Sequence, residues 1–332
     1  MFRAFLFEKH DDFNGLMMSS SNAIPLRKRL RFRMEAGLFA LALRWVPLLS
    51  RAAIMRLSYL GGRLGWIFAR RDRRIAMANL DLAFGDTKTV LEKHRIVQQV
   101  FRTFAQTGLD YFWFSRDREQ RMRDWVEVDE AARVWMKSGK RLVGITAHFG
   151  NWEMLGWLFA FHGALISSVA KPVKNNLIDA EINRIRMQSG QQIVPREGAL
   201  RALVRTLKSE GTVALLLDQD TLPSEGGVFV PFFGVPVPIS TAGAGLAIKL
   251  GAPIVMVYCV CRPDGRYHGY AGRVFLPEET ESMSIDELTA KITMDLEEEL
   301  RRNPGYWLWS YKRWKRRLPG VDPSRYPYYA DC

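Results

Sequence analysis

The chain has 332 residues, 48% hydrophobic and 25% charged, enough for one large or two modest domains around a sizeable core and unlike a disordered chain. Lys and Arg outnumber Asp and Glu by 48 to 35, a formal net charge of +13, which suits an anionic partner: a phospholipid surface, a phosphorylated substrate, an acidic carrier protein or nucleic acid. With three cysteines, no CxxC pair and no Cys/His ligand spacing, a disulfide framework and a zinc module are excluded and a reducing, cytoplasmic setting is expected.

Residues 1–32 hold a polar, Ser-rich stretch and the basic run Arg27-Lys28-Arg29, without a small-residue cleavage site after an apolar core. This segment is expected to be poorly structured or variable. Residues 36–50, AGLFALALRWVPLLS, are strongly apolar but carry Arg44 and Pro47. A spanning helix needs ~20 apolar residues, so the stretch reads as an interfacial anchor. It continues into IMRLSYLGGRLGWIFARRDRR, which mixes Leu, Ile, Trp and Phe with Arg and closes on Arg70, Arg71, Arg73 and Arg74. That composition fits helices lying in a headgroup layer, and residues 33–75 are assigned as membrane-associating helices. The alternative is an ordinary amphipathic helix packed on the core.

From Lys88 to Phe114 apolar residues recur at helical spacing. After Trp125-Val-Glu-Val, helix-like and strand-like segments alternate to about residue 260, the signature of an α/β fold with a mainly parallel or mixed sheet flanked by helices. Asp129 to Lys140 predicts a helix, RLVGITA (141–147) a buried strand, and NWEMLGWLFAFHG a helix closed by Gly163. ALISSVA (164–170) is the next strand, then helices follow over Leu177–Ser189 and Ala199–Glu210, with IVP between them. Gly139, Gly163, Gly190 and Gly211 sit where left-handed helix caps belong. TVALLL (212–217) is a second fully apolar strand, running straight into Asp218-Gln219-Asp220. A long loop rich in Pro, Gly and aromatics is expected next, then a helix over Thr241–Leu250, the strand PIVMVYCV and an antiparallel strand from Tyr267 to Phe275. Ser284 with Glu287 forms a capping box for the last long helix. No linker divides the chain, so residues 76–332 read as one α/β domain.

Reactive groups in such sheets gather where strands end and helices begin, and residues 147–153 read AHFGNWE. His148 lies just past a buried strand. Asn151 is a good N-cap, which puts Glu153 in the first helical turn, where the helix dipole favours a carboxylate. With Gly150 between them, the chain can fold back so that Glu153 reaches one imidazole nitrogen and the other faces the cleft. That is the base-plus-orienter half of a catalytic triad, and it needs no serine if a substrate hydroxyl is the nucleophile. The bare spacing is equally a turn histidine beside a helix-start acid. A metal site would need His148 with Glu153, Asp218 or Asp220, and the remaining histidines show no ligand spacing with it.

AHFGNWE resembles the His-x4-Asp/Glu motif of the glycerolipid acyltransferase superfamily, and more specifically that of the bacterial lipid A late acyltransferases. Four further blocks resemble that family in order: RRIAMANLDLAFGD (73–86), IVPREGALRALVRTLKSEGTVALLLDQD (193–220), GGVFVPFFGVPVPISTAGAGLAIKLGAPIV (226–255) and YWLWSYKRWK (306–315). The likeness spans roughly residues 35 to 317. The chain departs from it in reading AFGD where Phe-Pro is more usual, in the aromatic–basic terminal motif, and in a less uniformly apolar N-terminal anchor.

The resemblance implies acyl transfer from acyl-acyl carrier protein or acyl-CoA to a lipid hydroxyl, with a lipid A precursor as acceptor, at the cytoplasmic face of the inner membrane. It implies no metal or redox cofactor; the acyl thioester is a co-substrate. His148 and Glu153 are then catalytic, His148 as general base and Glu153 holding its tautomer. Backbone N–H groups of Gly150 and Asn151 are candidates for the oxyanion. Arg196 is assigned to phosphate or carrier contact, Asp218 and Asp220 to orienting the site or the substrate, and Phe229, Phe232 and Phe233 to an acyl-chain wall or to the core. The basic cluster Arg70–Arg74 and the tail Lys312, Arg313, Lys315, Arg316 and Arg317 fit the membrane with its phosphorylated lipid or the acidic carrier. A lysophospholipid, ornithine-lipid or glycine-lipid acceptor is the nearest alternative. A non-catalytic basic protein binding membrane or nucleic acid would explain the charge, but no recognisable nucleic-acid motif is present, so no nucleic-acid partner is expected.

Overall fold

The computed structural model describes residues 25–331. Five helices come first: α1 (Leu26–Trp45), α2 (Arg51–Phe68), α3 (Arg70–Phe84), α4 (Val90–Trp113) and α5 (Arg118–Trp125). The alternating part follows as β1 (Val126–Val128), α6 (Glu130–Met136), β2 (Leu142–Thr146), α7 (Trp152–Phe161), β3 (Ile166–Ala170), α8 (Asn176–Met187), β4 (Gln192–Pro195), α9 (Ala199–Lys208) and β5 (Thr212–Leu216). The chain continues through β6 (Gly227–Phe232), β7 (Val235–Ser240), α10 (Ala242–Leu250), β8 (Ile254–Cys261), β9 (Tyr267–Phe275), α11 (Pro277–Thr280) and α12 (Ile285–Arg302).

Seven strands form a mixed sheet in the order β1-β9-β8-β2-β5-β3-β4, with β8–β9 its antiparallel pair. Strand side chains alternate between two cores, as the two-residue period requires. Val143, Ile145, Ile254 and Met256 join Leu203, Leu207, Leu288 and Ile292 on one face. Leu142, Val255, Val257 and Cys259 join Trp157, Ile182 and Ile185 on the other. Helices therefore cover both faces, and this is why the strands are continuous apolar runs. β5 lies between β2 and β3, so the chain leaves β2, skips one position and later fills it. The strand ends beside that gap are where an open α/β sheet forms its crevice.

The element boundaries agree closely with the sequence, and the Ser284–Glu287 capping box is complete, both reciprocal bonds being made. Three details differ. Helix α1 starts at Leu26, inside the segment expected to be irregular, while that expectation for residues 1–24 lies outside the described residues. The Pro-rich loop contains the β6–β7 hairpin, with Pro231 opposite Pro236. A two-stranded ribbon consists of edges only, so a proline lacking its N–H can face outward. At residues 210–211, Glu210 rather than Gly211 takes positive φ, +55°. Gly211 is small for another reason: a Cβ there would lie 2.8 Å from the Leu165 carbonyl oxygen.

The N-terminal helices are built on close backbone contact. A Cβ at Gly62 would sit 2.8 Å from Arg102 Cα, so α2 packs directly on α4 through its small residues. The opposite side of α2 is exposed, carrying Leu57, Tyr59, Leu60, Leu64, Ile67 and Phe68. Among the described residues, no helix is long and apolar enough to cross a membrane.

Candidate active site

The register of β2 on β5 builds the centre of the site. Thr146 pairs with Leu216 in this parallel ladder, so the second residue beyond each strand end, His148 and Asp218, meet across it. His148 Nδ1 lies 2.9 Å from Asp218 Oδ1, and the backbone N–H of His148 donates to Oδ2 at 2.9 Å. Trp307 Nε1 also donates to Oδ2, at 2.8 Å. The carboxylate is thus fully satisfied, and its side chain is 2% exposed against 16% for the imidazole. The Asp218 carboxylate is sealed, while the other ring nitrogen, Nε2, is on the exposed side of the imidazole. There the Gln219 amide nitrogen stands 3.5 Å away, and the Trp152 ring packs edge-on against the imidazole.

The electrostatics follow from this enclosure. Burial pushes the His148 pKa down, but the Asp218 charge and hydrogen bond, helped by the field of Glu153, outweigh it and hold the imidazole above its ordinary value. Burial pushes Asp218 up, while His148, the Trp307 indole and the His148 N–H pull it down, and its net position is below the ordinary carboxylate value.

Glu153 does not orient His148. It is 8% exposed and forms a two-pronged ion pair with Arg186 of α8, Nε donating to Oε2 at 3.0 Å and the second guanidinium nitrogen to Oε1. The planar guanidinium matches both carboxylate oxygens, an arrangement a turn histidine does not offer. Asp218, one of the two acids considered for orienting the site, takes the position expected of Glu153.

The proposed oxyanion donors are also corrected. Gly150 N–H donates to the Tyr306 carbonyl and Asn151 N–H to the Cys259 carbonyl, each at 2.8 Å, so neither is free for substrate. Asn151 is spent on the fold: its Oδ1 caps α7 at Met154 N and its Nδ2 donates to Tyr267. Gly150 is there because nothing larger fits, with φ at +55° and a Cβ placed 2.0 Å from the Cys259 carbonyl oxygen.

Asp220 lies beside the site but faces the tail, pairing with Arg313 at 2.8 Å and Lys315 at 3.2 Å. Arg313 is 1% exposed; these two tail cations are internal and not part of a basic surface. Arg196 follows β4 on the same sheet edge and pairs with Glu225 at 2.8 Å in an exposed position. Phe232 and Phe233 are buried among Trp307, Trp309 and Trp314, as core and not as a wall of the cleft. Among the described residues no three His, Cys, Asp or Glu side chains converge as metal ligands.

The sequence pointed to the cations of the tail as contacts for an anionic partner but gave its tryptophans no place at the site. Leu308 N–H donates to the His148 carbonyl at 3.1 Å, and Phe149 bridges Trp307. Asn79 of α3 donates to the carbonyls of Trp309 and Tyr311 at 2.7 and 2.8 Å. The Asn-Leu segment and the aromatic terminal segment, far apart in sequence, are therefore one structural unit behind the histidine turn.

The sequence profile of the bacterial lipid A biosynthesis acyltransferases matches residues 27–316. The chain belongs to this family. It is an acyltransferase, in a family of lipid A and lipopolysaccharide biosynthesis. It is 31% identical to a lipid A biosynthesis palmitoleoyltransferase of Escherichia coli over 278 residues, 80% of this chain and 86% of that protein. It is 27% identical to a lipid A biosynthesis acyltransferase of Haemophilus influenzae over 81% of this chain and 88% of that one. A phosphatidylinositol mannoside acyltransferase of Mycolicibacterium smegmatis is 25% identical over 66% of this chain and 72% of its own.

Proposed function

We propose that this acyltransferase moves a fatty acyl chain from an acyl thioester, on acyl carrier protein or CoA, to a hydroxyl of a lipid A precursor. The observation that carries the reading is the His148–Asp218 pair, with Nδ1 held by a sealed carboxylate and Nε2 left on the exposed side of the ring. Nδ1–H donates to Asp218, so Nε2 is the basic nitrogen. It removes the acceptor hydroxyl proton as the oxygen attacks the thioester carbonyl. The tetrahedral intermediate collapses by breaking the carbon–sulfur bond, and the imidazolium returns the proton to the leaving thiolate. The Gln219 amide, beside Nε2, is the side-chain donor positioned to steady the hydroxyl or the developing oxyanion.

Supporting a membrane setting, the exposed side of α2 alternates apolar groups with Arg56 and Arg63, and α1 exposes Leu30, Met34, Leu41 and Trp45. Such a surface rests in the headgroup layer of the inner membrane's cytoplasmic leaflet, with arginines on lipid phosphates. The remaining exposed cations suit the acidic carrier.

The test is mass spectrometry of lipids from cells lacking the protein, complemented with wild type or with His148→Ala. Lipid A one acyl chain short, restored by wild type alone, supports the reading. Unchanged lipid A with a chain missing from a phospholipid or aminolipid class moves the acceptor and leaves the chemistry. Restoration by a folded His148→Ala protein overturns the mechanism.

A further inference from the structure

We infer that Trp307 is a positioning residue for the reaction, setting the basicity of His148 through Asp218; this rests on His148 acting as the base. The indole N–H is one of two donors on Asp218 Oδ2, the other being the backbone N–H of His148, while Oδ1 is left for Nδ1. Three donors on two oxygens fix the carboxylate in one rotamer and aim it at the imidazole. The indole has no solvent contact, so water does not compete for this bond.

The position of the indole is itself over-determined. Leu308 N–H holds the His148 carbonyl, Gly150 N–H holds the Tyr306 carbonyl, and Asn79 clamps the carbonyl of Trp309. Rings of Trp309 and Phe232 pack edge-on against Trp307 with centroids 4.7 and 5.7 Å away. A side chain serving only to fill the core needs no donor aimed at a carboxylate 89 positions earlier.

The electronic consequence has a definite sign. A hydrogen bond to Oδ2 draws negative charge from the carboxylate and stabilises its charged form. Removing that donor concentrates charge on Asp218, which then stabilises the imidazolium more strongly and raises the His148 pKa. Trp307 therefore keeps the base from becoming too strongly protonated near neutral pH, as well as holding the orienting acid in line.

The experiment measures kcat/KM against pH for transfer from acyl-acyl carrier protein to a lipid A precursor, in wild type, Trp307→Phe and Phe232→Leu. Phe232→Leu disturbs the same aromatic cluster without removing a donor from Asp218. We expect the acid limb to move up by roughly half a pH unit in Trp307→Phe, with kcat lowered at least tenfold and KM little changed, and to stay in place in Phe232→Leu. Nitrogen NMR titration of the His148 ring, assigned with His148→Ala, gives the same shift without turnover and serves if Trp307→Phe is too unstable to assay at all pH values. An unmoved limb and an unmoved ring titration in Trp307→Phe overturn the inference. A wild-type limb that persists in His148→Ala overturns instead the assignment of the base.

Discussion

Two buried carboxylates approach the histidine turn, and they hold cations of different kinds. Asp218 faces an imidazole, which is a cation only when protonated; Glu153 faces the Arg186 guanidinium, which burial opposes but Glu153 keeps charged. Glu153 also contributes to the field at His148, yet its hydrogen bonds go elsewhere. On the proposed mechanism the difference separates proton handling from scaffolding: Asp218 holds a group that must change charge, and Glu153 locks α7 to α8 through a guanidinium that stays charged.

The largest expected effects break the first pair. Asp218→Asn lowers kcat by about 10³-fold or more, because an amide neither stabilises the imidazolium nor fixes its tautomer; His148→Ala does at least as much. Steady-state transfer assays on folded protein check both, and near-normal turnover in either ends the assignment. Glu153→Gln leaves Arg186 with an uncompensated charge and costs about 3 kcal/mol of stability, read as a lower Tm. Adding Arg186→Met to Glu153→Gln regains most of that stability and much of the activity. If Glu153→Gln instead retains its Tm and loses as much kcat as Asp218→Asn, the two acids are not separable.

A smaller effect lies in the pH dependence. The raised His148 pKa places the acid limb of kcat/KM above the ordinary imidazole value of 6.5. Stability runs the other way. The ion pair's contribution is complete below 6.5 and is lost as pH rises through the higher folded-state value. Activity should therefore climb across the interval in which denaturant midpoints fall slightly, and a limb below 6.5 contradicts the raised value. Smallest is Arg196→Ala, which removes an exposed pair and changes stability by less than about 1 kcal/mol. A raised KM for acyl-acyl carrier protein at unchanged Tm would give Arg196 its substrate role.

Much of the frame was legible because each layer has a local cause: continuous apolar runs for doubly covered strands, Asn151 and Ser284 for helix starts, glycines for helix ends. The hairpin at 227–240 was hidden because its prolines argue against a central strand, and only the two-stranded context admits them. The partner of His148 was half-hidden. Spacing along the chain favoured Glu153, five residues away, whereas the strand order that inserts β5 beside β2 delivers Asp218. No periodicity reports that insertion. The tail cations misled for a related reason, since a run of Lys and Arg reads as a surface until Asp220 is seen beneath it.

The joining of the terminal segment to the histidine turn has a consequence for the order of events in synthesis. Trp307 follows Asp218 by 89 positions, so at about 5–20 residues per second several seconds separate the making of the two groups. During that interval the nascent chain carries His148 and its acid without the indole, the Leu308 amide or the tail carbonyls that Asn79 holds. On the proposed mechanism, a translating ribosome on this message holds an unfinished catalyst, completed when the aromatic segment has emerged and closed behind the turn.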